Sequence, residues 1–134
     1  MGGDEAMIVA GLGFRRSAAA DEIVALVEQA LTRASLARAG LSSLATIEPL
    51  AALPAFTEAA RQLDVTVTRV EEPALAAAAP GVRTRSARSL AAHGVGSVAE
   101  AAALAAAGPG SRLILERIAS PSATCALAGL ENSP

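Results

Sequence analysis

The chain contains no lysine, no tryptophan and no tyrosine, and only one cysteine and one histidine in 134 residues. Without lysine there is no Schiff-base chemistry and no lysine-dependent phosphate loop. A single cysteine, Cys125, excludes a disulfide framework and a cysteine-rich metal centre. No His, Cys, Asp and Glu cluster has metal-ligand spacing, so neither a metal nor another cofactor is expected. Phe14 and Phe56 are the only aromatics, which leaves the core to Leu, Val, Ile and close-packed Ala. Net charge is −2, too little of either sign to point to nucleic acid or an anionic membrane. No run approaches the ~18 apolar residues of a membrane helix, and "MGGDEAMI" lacks the basic start of a secretory signal. A cytoplasmic protein is the expectation.

What is present is alanine, about a quarter of the chain, and alanine favours helices. Met7 to Leu12 is an apolar run closed by glycine and reads as a buried strand. Ile23, Leu26, Val27, Ala30, Leu31 and Ala34 recur at helical spacing, with Asp21 and Glu22 early, Arg33 and Arg38 late, and Gly40 as the stop. "LATI" (44–47) reads as a strand, and Pro54 opens a helix through Leu63. "VTVTRV" (65–70) alternates as a strand does. A short helix or turn ending at Pro80-Gly81 follows, and then a helical stretch from Thr84 to His93. Ser97 and Glu100 are spaced as a reciprocal capping box for a helix ending at Gly108. "RLILER" (112–117) and "ATCALA" (123–128) are close enough to form only an antiparallel hairpin.

This order predicts an α/β domain: three layers, α/β/α, around a mixed, mostly parallel sheet of about five strands that ends in an antiparallel hairpin. The domain should span residues 7–128, with 1–6 and 129–134 frayed. Ligands in such folds collect at the carboxyl ends of the parallel strands, and the loop Gly11 to Ser17 is one such end.

Gly11-Leu12-Gly13 is no dinucleotide fingerprint, because Arg16 stands where the third glycine should be. What remains is a strand–glycine–helix turn with exposed amides and two guanidinium groups, Arg15 and Arg16, suited to carboxylate or phosphate. A second glycine turn, Gly94-Val95-Gly96-Ser97, also precedes a helix, with Arg83, Arg85 and Arg88 upstream. Solvated arginines and a structural Ser97/Glu100 cap are the plain alternatives. His93 is the sole side chain with an unperturbed pKa near neutrality, and more often such a residue is a surface histidine. Cys125 reads as a buried, inert thiol. No catalytic constellation is visible.

"VAGLGFRRSAAADEI" (9–23) and "HGVGSVAEAAAL" (93–104), followed by a strand pair containing "ATCALA", resemble the CobE/CbiG C-terminal domain family of cobalamin biosynthesis, in its free-standing form. The resemblance implies a compact three-layer domain and a partner: a precorrin or corrin intermediate, whose acetate and propionate rim arginines can clamp in bidentate fashion. Ligand-binding residues would be Gly11, Gly13, Arg15, Arg16, Thr84, Ser86, Gly94, Gly96, Ser97 and Glu100, in a carrier or accessory role. Two alternatives stay open. One is a hydrolase that opens the precorrin ring lactone and releases acetaldehyde, with Glu100 or His93 activating water. The other is a non-catalytic subunit docking on a pathway enzyme through alanine-rich faces. Relatives often carry a lysine after the second strand and another near the fourth; here those neighbourhoods read "ATIEPLAALP" and "LILERIA", and Arg117 could replace the second.

Overall fold

The computed structural model describes residues 8–130. Its elements are β1 (Ile8–Phe14), α1 (Ala20–Arg33), β2 (Leu41–Ile47), α2 (Pro54–Leu63), β3 (Thr66–Val70), α3 (Glu72–Ala77), α4 (Ala87–His93), α5 (Val98–Ala107), β4 (Ser111–Ala119) and β5 (Ala123–Leu130). The strands form one sheet in the order β3-β2-β1-β5-β4. β1 pairs parallel with β2, and β2 parallel with β3, while β5 runs antiparallel to both β1 and β4. Four strands therefore point one way, and their carboxyl ends share one edge. Of the residues expected to fray, Gly129 and Leu130 complete β5; residues 1–6 and 131–134 lie outside the described residues.

β1 is central and covered on both sides, so its side chains alternate between two cores. Ile8, Ala10 and Leu12 join Ile23, Leu26 and Val27 of α1 and Phe56, Ala59 and Leu63 of α2. Val9 faces the opposite layer, with Ala101, Ala102 and Leu104 of α5 and Leu75 of α3. Three layers result because the chain crosses the sheet after β3: α1 and α2 lie on one face, α3 and α5 on the other.

Helix ends follow local chemistry. Pro54 sits in the first turn of α2, and Asp64 closes it in the left-handed region at φ 59°, while the Val65 amide donates to the Ala60 carbonyl at 3.0 Å. α1 stops well before Gly40. Ser35 takes the left-handed position at φ 59° and the Leu36 amide donates to the Leu31 carbonyl at 2.8 Å. Gly40 instead belongs to a short 3₁₀ turn leading into β2. Thr84 is likewise outside a helix: α4 begins at Ala87, because the Ser86 hydroxyl accepts from the Ser89 amide as its N-cap. The segment 82–86 is an extended strap running to that cap.

Candidate functional site

The carboxyl edge of the sheet opens into a cleft of about 410 Å³. Its walls come from three distant parts of the chain. Gly13, Phe14 and Arg15 leave the end of β1; Ser86 and Arg88 stand at the start of α4; Arg117 and the turn Ser120 to Thr124 close the β4–β5 hairpin. Phe14 stacks on Phe56 of α2, ring centroids 6.0 Å apart, and so anchors the β1 side. The Arg15 amide donates to the Ser122 carbonyl at 2.9 Å, tying that wall to the hairpin tip.

Three arginines, Arg15, Arg88 and Arg117, thus line one polar cleft. None of the three has a side-chain hydrogen bond or ion pair among the described residues. Outside the cleft four arginines are matched, Arg38 with Glu28, Arg61 with Glu58, Arg69 with Glu48 and Arg83 with Glu116, while Arg16, Arg33 and Arg85 are exposed to solvent. Positive charge left unpaired in a concavity, beside hydroxyls of Ser86, Ser120, Ser122 and Thr124, is the chemistry of an anion site.

Two carboxylates hold the walls without entering into ion pairs. Glu22, in the first turn of α1, accepts from the Ser120 hydroxyl and, at 2.8 Å, from the Ser122 amide. These hydrogen bonds lower its pKa below the ordinary value, the Ser120 hydroxyl contributing most. Glu100, in the first turn of α5, is fully buried. Its Oε1 accepts from the amides of Arg83 (2.7 Å) and Thr84 (2.9 Å), and its Oε2 from the Thr84 hydroxyl (2.5 Å) and the Arg117 amide (2.9 Å). Burial opposes the charge, but the Thr84 hydroxyl and the amides of Arg117, Thr84 and Arg83 outweigh it and keep the carboxyl below its ordinary pKa. The expected capping box is therefore half formed. The Ser97 hydroxyl accepts from the Glu100 amide at 3.1 Å, whereas the Glu100 carboxylate turns away to the strap and to β4.

A match to the family described as cobalamin synthesis G C-terminus covers residues 8–128. The chain belongs to that family. It is similar to the protein CobE of a Sinorhizobium species, 38% identical over 91% of this chain and 79% of that one. It is also similar to the crystal structure of a CobE from the cobalamin (vitamin B12) biosynthetic pathway: TM-score 0.89, 32% identity, 96% of this chain and 94% of the other. The cobalamin biosynthesis protein chiG of Agrobacterium tumefaciens matches at TM-score 0.74 and 35% identity, over 93% of this chain and 99% of that one. A cobalamin biosynthesis protein G homolog of Sulfolobus solfataricus, 28% identical with TM-score 0.73, is matched over 94% of this chain but only 37% of its own length. This is a cobalamin biosynthesis domain of the CobE/CbiG C-terminal type, with its mixed five-stranded sheet.

Within this family member the residues singled out from sequence divide. Gly13, Arg15 and Ser86 line the cleft. Arg16 is exposed beside it and does not line it. Gly11 is buried and serves packing, not ligand approach: a Cβ there would stand 2.5 Å from the Ala103 nitrogen and overlap the Ala99 carbonyl oxygen of α5. Gly96 does the same for the strap, since a Cβ would strike the Thr84 carbonyl oxygen. Gly94 ends α4 at φ 76° and lies outside the cleft. Thr84 and Ser97 are spent on Glu100. Glu100 itself has four donors on its two oxygens, which leaves no lone pair to activate water.

His93, at the far end of α4, faces a second cavity of about 340 Å³ with Ile47, Pro49, Val70 and Leu75, rimmed by Glu48, Glu71 and Glu72. Among the described residues no group of three or more His, Cys, Asp or Glu could hold a metal, and no single helix is long and apolar enough to cross a membrane. Cys125 is buried mid-strand, and desolvation pushes its thiol up to about 12. The hairpin tip, Ser120, Ser122 and Thr124, was not visible as part of a site. Its only signal was the turn at Ser120-Pro121, and nothing local says that this turn meets Arg15.

Proposed function

We propose that the cleft binds a carboxylated precorrin or corrin intermediate and that the protein acts as its carrier or accessory factor. One observation carries the reading: Arg15, Arg88 and Arg117 converge on one cleft and lack any carboxylate partner. Acetate and propionate arms match this directly, because a guanidinium offers a planar fork to each carboxylate. The cleft receives one carboxylate-bearing edge of the macrocycle and leaves the rest outside, as a carrier that hands on its cargo requires. A cytoplasmic location belongs to the same proposal.

The lactone hydrolase has less support. Glu100 is saturated, and His93 opens onto the other cavity, so neither of the two candidate bases faces the arginines. Docking through alanine-rich faces is also weakened, since eight of the ten α5 residues are buried within their own domain.

The test is a titration with a corrin bearing free carboxylates, followed by its visible spectrum, beside the same ring with its carboxylates amidated. The acid form should bind and the amide form should not. Arg15→Ala and Arg117→Ala should each weaken binding about tenfold, ~1.4 kcal/mol. An unchanged spectrum and no retention at micromolar protein would overturn the proposal.

A further inference from the structure

We propose that Glu100 is the positioning residue of the cleft: its carboxylate holds the main chain of Arg117 and of the strap leading to Ser86 and Arg88, and so sets where those guanidinium groups stand. The inference rests on the cleft being a carboxylate site and adds how that site is built.

Glu100 is the one fully buried charged side chain among the described residues. Four hydrogen bonds reach it from two segments far apart in the chain, the strap at Arg83 and Thr84 and the end of β4 at Arg117. A carboxylate alone can do this, because it offers two acceptor oxygens and no donor. Glutamine would turn an NH₂ group toward donors that need an acceptor.

The need for such a hold is visible in β4. Its pairing with β5 shifts register between Leu115, opposite Leu127, and Ile118, opposite Cys125. One extra residue on β4 is a bulge, and a bulge re-aims the side chains beside it. Arg117 sits in that bulge, and its amide donates to the Glu100 carboxylate at 2.9 Å. On the other side the strap ends at Ser86, whose amide donates to the Gly96 carbonyl at 2.9 Å and whose hydroxyl caps α4 two residues before Arg88. One carboxylate therefore joins two walls of the cleft.

Its charge is the wrong sign for an anion site. If Glu100 acted on the ligand through its field, neutralising it would tighten binding. If it acts by position, neutralising it weakens binding. The two accounts give opposite signs for Glu100→Gln.

The experiment has two arms. In ligand-free protein, amide hydrogen exchange by NMR should show Arg83, Thr84 and Arg117 protected in the wild type. In Glu100→Gln these amides should exchange at least about tenfold faster, with those of β1 unchanged. In the second arm a corrin with free carboxylates is titrated into wild type, Glu100→Gln, the Arg88→Ala/Arg117→Ala pair and the triple variant. Glu100→Gln should bind about tenfold more weakly, but cost less than about threefold where Arg88 and Arg117 are both already absent, since residues acting through the same contacts are not additive.

Equal or tighter binding by folded Glu100→Gln overturns the proposal, as does a full tenfold cost in the background lacking both Arg88 and Arg117. Rapid exchange of the three amides in the wild type overturns it without any ligand. Wild-type protein that ignores the corrin defeats the reading of the cleft instead, and the exchange arm still decides the role of Glu100. Should Glu100→Gln not fold, Glu100→Asp keeps the charge but shortens the reach. It should weaken binding several-fold, and unchanged binding would overturn the proposal.

Discussion

Gly11 and Gly13, expected from sequence in a turn, both lie in β1, two residues apart, yet a single methyl group would do different things at each. At Gly11 it would meet the backbone of α5, which cannot step aside. At Gly13 it would meet the Thr124 hydroxyl at 2.9 Å, a side chain that can rotate. Gly11→Ala should therefore cost at least ~2 kcal/mol, at the severe end of overpacking. Gly13→Ala should cost less than half of that, and urea denaturation compares the two; equal losses would refute the packing account. The same pairwise division holds for the arginines. Arg15 lines the cleft and Arg16, its neighbour, does not.

At the scale of elements, the helices differ in how their starts are finished. α4 and α5 are capped by Ser86 and Ser97, whereas α1 has Ala19 at its N-cap position and no side-chain cap. Ala19 is exposed and already extended at φ −88°, ψ 152°, the geometry of an N-cap. Ala19→Ser should stabilise the fold by about 1 kcal/mol and raise the melting temperature by roughly 3–5 °C. A melt that does not move would mean the first-turn amides are already satisfied. α5 shows the opposite economy: almost no polar face, because it packs between the sheet, α3 and the strap. Its first-turn glutamate is the exception, and that residue works for the strap and β4.

For the molecule as a whole, acid should be more damaging than the small net charge suggests. Glu22 and Glu100 both have pKa values lowered by folding. Between the folded and unfolded values the unfolded chain binds more protons, so stability rises with pH there. The stabilisation is complete above the ordinary glutamate value of 4.5 and is lost as pH falls through the lower folded value. Thermal melts from pH 7 to 3 should stay level and then drop below about pH 4.5. In Glu100→Gln the starting stability is lower and the drop is shallower, because glutamine has no proton to take up. Superimposable pH profiles, offset by a constant, would show that Glu100 is not one of the groups responsible.

Much of this architecture could be read from residue order. The period of Ile23, Leu26, Val27, Ala30 and Leu31 places α1, the alternation of residues 65–70 places β3, and the short link at Ser120-Pro121 forces the hairpin. These are local facts, set by propensity and by which face must leave water. The two glycine turns carried the family, and Arg15 with Arg16 carried the preference for anions. Tertiary structure alone decided which of these residues meet. Inserting β5 between β1 and β4 brings Ser122 to Arg15 and Arg117 to the same cleft, across a sequence gap that no periodicity records. It also made Gly11 a packing residue and sent the Glu100 carboxylate to Arg83, Thr84 and Arg117 rather than back to its own cap. The physical reason is the same in each case. Helix and strand formation depend on neighbours in the chain, whereas a buried charge takes whatever donors the packing of distant segments brings within reach.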